Sequence, residues 1–141
     1  MEKAKTYIKP LKGEDSEYVI KVVCEHPEWY GETKMTDFPH CHFYGVYDED
    51  DNLLGFFAFA FWKDCNQVIL CCVYVKEEHR QKGIFNKMVK FFKDKCSDYT
   101  ILSIGARDEN KLANEIYNKK FKFSHHDMFS YGNWYIIRDS R

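Results

Sequence analysis

Apolar and polar positions change period several times along the chain, and each change marks an element. Thr6 to Leu11 alternates as a short strand does. Ser16, after Gly13, Glu14 and Asp15, opens a helix whose Val19, Val22, Val23 and His26 fall on one face until Pro27. Residues 27–42, PEWYGETKMTDFPHCH, have no period and predict a short helix and a long loop able to line a site. From Phe43, the run FYGVY, the acidic turn DEDDN and the run LLGFFAFAFW predict an antiparallel hairpin. Phe57, Phe59 and Phe61 share one of its faces, and Phe56, Ala58 and Ala60 the other. After KDCN, the segment QVILCCVYV is almost continuously apolar and predicts a central strand covered on both faces, with Cys71 and Cys72 pointing opposite ways.

Period 3.6 returns at Ile84, Phe85, Met88, Val89 and Phe92, with Lys87, Lys90 and Lys93 on the solvated side. YTILSIGA is a second buried strand. Leu112, Ala113, Ile116 and Tyr117 give another amphipathic helix, and residues 121–139 close the chain as two strands joined around Tyr131, Gly132 and Asn133. The order strand, helix, antiparallel strands, then strand, helix, strand, helix and hairpin predicts an α/β fold. Its mixed, mostly antiparallel sheet has a central parallel pair made by a right-handed crossover, and helices on both faces. Strand ends beside such a crossover are where open sheets bind ligands.

Composition narrows the function classes. A chain of 141 residues fits one domain, 1–141, able to bury a substantial core, and an aromatic content of 18% with three prolines excludes disordered and fibrous classes. A net charge of −1 argues against a nucleic-acid partner held by bulk positive field. The N-terminal residues lack a continuous apolar run, so neither a signal peptide nor a membrane span is expected, and the cytoplasm is the expected location. The six cysteines have no CxxC spacing and read as small hydrophobic residues. His40 and His42 share a strand parity, but two ligands do not make a zinc site, and no metal is expected. Cys71 on an apolar strand lacks the positive surroundings that a nucleophilic thiolate needs.

The candidate chemistry lies where VYVKEEHRQKGIFNKMVKFF passes from strand to helix. Backbone N–H groups at such a turn have no intrahelical partner and can take a phosphate, with Gly83 permitting close approach and Arg80 and Lys82 adding charge. Neither the Walker pattern nor GxGxxG is present. The run Arg80, Gln81, Lys82, Gly83, Ile84, Phe85 resembles the [RQ]xxGx[GA] signature of the GCN5-related N-acetyltransferases. Further on, NKLANEIYNKKFKF resembles that family's NxxAxxLYxKxGF, with Asn110, Ala113, Ile116, Tyr117 and Lys119 in register. Phe85 in place of a small residue and KFKF in place of the final GF are departures.

The resemblance implies an acetyl-CoA-dependent N-acetyltransferase that moves an acetyl group directly to an amine of a small molecule, peptide or protein. It implies that the backbone of Arg80 to Phe85 (Arg80, Gln81, Lys82, Gly83, Ile84, Phe85) cradles the pyrophosphate. Val73 and Val75 would lie along the pantetheine like an added strand, and Asn110 would touch the cofactor. The Val73 N–H would stabilise the developing oxyanion and Tyr117 would protonate the departing thiolate. The strand QVILCC supplies no base, leaving Glu32, Asp37, His40, His42, Asp64, His125 and His126 as open candidates. Acidic loops and the aromatic residues Trp29, Tyr30, Phe38 and Trp134 are candidate acceptor-binding features. A non-catalytic acyl-CoA sensor on the same fold is the alternative, and a phosphate-binding regulator unrelated to CoA a third. Pairing of the closing hairpin in a homodimer is compatible with the sequence.

Overall fold

Two aromatic faces of one sheet organise the molecule, whose computed structural model describes residues 5–26, 42–62, 66–107, 109–123 and 132–140. The helix and loop expected between Pro27 and Cys41 lie outside these residues. The elements are β1 (Tyr7–Pro10), α1 (Ser16–Glu25), β2 (His42–Tyr47), β3 (Leu53–Trp62), β4 (Gln67–Val75), α2 (Ile84–Lys95), β5 (Ile101–Arg107), α3 (Lys111–Lys120), β6 (Lys122–Phe123) and β7 (Gly132–Asp139). The seven described strands lie in the order β1-β2-β3-β4-β5-β7-β6. Among the described strands only β4 and β5 run parallel, as the helical crossover between them requires.

Alternation along β3 decides which helix covers which face. Phe57 and Phe59 enter the larger core with Ile84, Met88 and Phe92 of α2 and Tyr117 of α3. Phe56 points the other way, to Val19, Val22 and Val23 of α1 and to Tyr47. The face assignment of the phenylalanines and the helices on both faces therefore follow the sequence pattern. The acidic turn is closed on itself: an oxygen of Asp48 accepts from the N–H groups of Asp50 and Asn52, each at 2.9 Å. Asp51, at φ 67°, pairs with Lys9 at 2.6 Å and Lys12 at 2.7 Å, tying the turn to the β1 end of the chain.

Two sequence expectations are corrected. Gly132 and Asn133 do not turn the last hairpin; they are strand residues of β7 paired with Arg107 and Ala106. The reason is that β5 outruns β4 as a partner, so β7 must extend to satisfy the end of β5. The second concerns Cys71 and Cys72. Phe56 pairs with Tyr74 and Ala58 with Cys71, so β4 holds one residue more than β3 across this interval. That residue is accommodated in a β-bulge, with Cys72 at φ 53°. Cys72 packs with Tyr74 on the α1 side, and Cys71 is in register with Ala58, which has the parity of Phe56. Both cysteines thus turn to one face. The bulge restores Val73 and Val75 to the face of Val68 and Leu70.

Candidate functional site

The same bulge opens the sheet. The β4–β5 ladder runs from Gln67↔Ile101 to Leu70↔Ile104 and stops there, while β4 continues to Val75 beside β3 and β5 to Arg107 beside β7. The two parallel strands separate where their ladder hydrogen bonds end. Burial follows: Gln67 to Leu70 are buried, whereas Cys71 to Val75 are only half-buried, so the strand is not covered on both faces throughout as its apolar run predicts.

A cavity of about 590 Å³ lies against the end of β4 beyond that ladder, walled by Val73 and Val75, the turn after it, the start of α2 and one side of α3. The turn is shaped by two left-handed residues, Gln81 at φ 62° and Gly83 at φ 80°. Only Gly83 does so without a side-chain clash to relieve, and a Cβ built there meets nothing within 4 Å. Gly83 is the N-cap of α2 and no side chain caps that end; the first helical bond runs from the Lys87 N–H to the Gly83 carbonyl at 3.2 Å. An uncapped helix start therefore faces open space at the cavity wall, carrying the positive end of the helix dipole.

Charged side chains gather at the same end. The Arg80 Nε donates to the Val75 carbonyl at 2.9 Å, fixing the guanidinium 5.7 Å above the Tyr74 ring. Lys120 donates to Asn86 Oδ1 at 2.7 Å and also lines the cavity, although its sequence position gave no sign of it. Of the ten residues that the resemblance assigns to the cofactor and the chemistry, Lys82 alone is not part of the wall. It is exposed on the outside of the turn.

Across the cavity, Asn110 caps α3, its Oδ1 accepting from the Ala113 N–H at 3.2 Å. Tyr117 is buried and its ring lies in an aromatic nest: Phe85 stacks on it at 5.6 Å and 24°, and Tyr135 meets it edge-on at 5.8 Å and 75°. Phe85 thus turns its ring onto Tyr117 and Phe121, where a small residue would leave that face uncovered. The Tyr117 hydroxyl makes no hydrogen bond to a described residue. Burial, and secondarily the neighbouring Tyr135 phenol, hold its pKa well above the ordinary tyrosine range, so the group stays protonated at neutral pH.

Glu32, Asp37, His40, Asp64, His125 and His126 lie outside the described residues, as do Trp29, Tyr30 and Phe38. Trp134 lays its ring across Gly105 of β5, where an added Cβ would stand 2.6 Å from it. Among the described residues no cluster of three or more His, Cys, Asp or Glu could hold a metal ion, and no helix is long and apolar enough to cross a membrane.

Sheet order, parallel pair and helix placement recur in solved structures. An acetyltransferase of the GNAT family from Staphylococcus aureus Mu50 superposes with a TM-score of 0.74 at 15% identity, over 97% of this chain and 100% of that one. The spermidine N-acetyltransferase of Vibrio cholerae, in complex with CoA and spermine, gives 0.68 at 13% identity over 93% and 92%. N-acetylglutamate synthase of Neisseria gonorrhoeae, complexed with coenzyme A and N-acetyl-glutamate, gives 0.77 at 13% identity over 99% of this chain and 36% of that one. No curated protein matches the sequence. At such identities these likenesses speak for the fold, and the sequence profile of the acetyltransferase (GNAT) family adds its own match to residues 11–123. With most of its length so matched, the chain belongs to the acetyltransferase (GNAT) family.

Proposed function

We propose that the chain is an N-acetyltransferase that takes acetyl-CoA as co-substrate and an amine as acceptor. The observation that carries this reading is the end of the β4–β5 ladder at Leu70 and Ile104, beside a cavity that unites the last residues of β4, an uncapped helix start and a buried, protonated tyrosine. The donor set fits the co-substrate. Gly83, Ile84 and Phe85 offer backbone N–H groups at the dipole's positive end for a pyrophosphate, with Arg80, Gln81 and Lys120 close by. Val73 and Val75 offer apolar side chains and a strand edge for an extended amide-bearing arm. Asn110 stands at the far wall.

Acetyl-CoA, when bound, supplies an activated acetyl thioester. Transfer makes an N–C bond and breaks a C–S bond; the amine gives up one proton and the leaving sulfur takes one. The Val73 N–H, on the length of β4 beyond its ladder with β5, is the donor to the carbonyl oxygen as negative charge develops there. Tyr117 is the proton donor, its hydroxyl kept neutral by burial and uncommitted to any described partner. A thiol near ~8.5 is a stronger acid than a phenol near ~10, so the transfer from Tyr117 to sulfur runs uphill and requires the local field to stabilise the phenolate it leaves.

The acceptor class is left open by the similar structures, one of which holds a polyamine and another an acetylated amino acid. Release of CoA from acetyl-CoA, followed across polyamines, amino acids and peptides with free amines, tests the proposal. Release that depends on one class of amine supports it. Binding of CoA without release to any amine indicates the sensor reading instead.

A further inference from the structure

We propose that Asn114 and Tyr135 form a positioning pair that aims the Tyr117 hydroxyl, an inference that rests on Tyr117 acting as proton donor. The Tyr117 hydroxyl has no described hydrogen-bond partner, so its direction is set by the rings that touch it. Phe85 covers one face, Phe121 is tilted at 6.2 Å, and Tyr135 meets it edge-on at 5.8 Å. Of these only Tyr135 can be anchored through a polar group of its own, and it is: its hydroxyl donates to Asn114 Oδ1 at 2.8 Å.

Asn114 is in turn held on every side. Its Nδ2 donates to the Arg107 carbonyl at 2.8 Å and the Asn110 carbonyl at 3.0 Å, and its Oδ1 also accepts from Asn133 Nδ2 at 3.0 Å. Both amide hydrogens and both lone pairs are therefore used, which is the full capacity of the side chain. The partners come from the end of β5, the cap of α3 and β7. One residue thus fixes the helix start to the two strands that remain paired after β4 has left them. It lies on the same helix as Tyr117 and close to one turn before it, so donor and anchor move together. Proton transfer is sensitive to displacements well below the width of a ring, and a hydroxyl aimed only by packing depends on the packing being rigid. Nothing in the sequence pattern singles out Asn114, which occupies an unconstrained position of the NxxAxxLY run.

A double-mutant cycle tests the pair. Tyr135→Phe keeps the ring and removes the phenol that bonds Asn114 and lies beside Tyr117; Asn114→Ala removes the anchor and leaves that phenol in place. Each is measured alone and with Tyr117→Phe, with heat-unfolding midpoints as the folding control. The expected result is a fall in kcat of about fivefold or more for either variant, little change in the KM for acetyl-CoA, and a loss of less than about twofold when Tyr117 is already phenylalanine. In protein free of acetyl-CoA, the Tyr117 ring resonances, assigned by difference with Tyr117→Phe, should shift in both variants. Equal losses in the two backgrounds, or unmoved Tyr117 resonances, would overturn the inference while leaving the acetyltransferase reading intact. A native chain that releases no CoA with any amine overturns both.

Discussion

Gly83 and Tyr117 are the residues on which the site most depends, for opposite reasons. At φ 80° with open space before it, Gly83 is needed for its backbone, so Gly83→Ala should cost about 1 kcal/mol of stability by urea unfolding. The same variant should weaken acetyl-CoA binding in calorimetry, because a methyl group would stand at the mouth of the helix start; unchanged affinity would place the phosphates elsewhere. Tyr117 was legible from sequence as one match in a spaced motif, but its apolar stripe position equally fits a packing role. What the sequence could not convey is the nest around it. Phe85 reads there as a departure from a small-residue position, and only the fold brings its ring onto Tyr117.

Elements were legible where one period governed them. The strands, α1, α2 and α3 follow from apolar spacing, and the order of strands and helices leads to the mixed sheet. The bulge in β4 escaped because two adjacent cysteines in an apolar run satisfy either parity, and the packing of Val73 and Val75 decides between them. Deletion of Cys72 would return β4 to unbroken alternation, with Phe57 opposite Val73 and both core faces preserved. We expect that variant to fold, shown by an ordinary cooperative unfolding transition, yet to bind acetyl-CoA at least about tenfold more weakly as β4 closes toward β5. Full affinity in a folded deletion variant would remove the bulge from the account.

At the scale of the whole molecule, the two cores respond to pH in the same direction. Burial pushes the Tyr18 and Tyr47 phenols up to about 12, and Tyr117 is raised further by the same cause. A tyrosine of ordinary pKa near ~10 in the unfolded chain ionises more readily there than in the fold, so these groups support the fold fully below about pH 10 and lose that support as pH rises toward 12. Urea midpoints should therefore fall between about pH 10 and pH 12. Tyr47→Phe should make that fall shallower, while lowering stability near neutrality by about 1–2 kcal/mol. The loss at neutral pH follows because the Tyr47 hydroxyl links the Lys12 N–H at 3.0 Å to Asp15 Oδ2 at 2.8 Å. The sheet, the parted strands and the protonated tyrosine meet in one claim, that acetyl groups pass from acetyl-CoA to an amine at this cavity. The most direct measurement follows an isotopically labelled acetyl group by mass spectrometry in the native chain and in Tyr117→Phe at saturating acetyl-CoA. The account predicts label on the amine nitrogen, formed about tenfold or more slowly by the variant at unchanged CoA affinity; label on no amine at all, or equal rates in the two proteins, would contradict it.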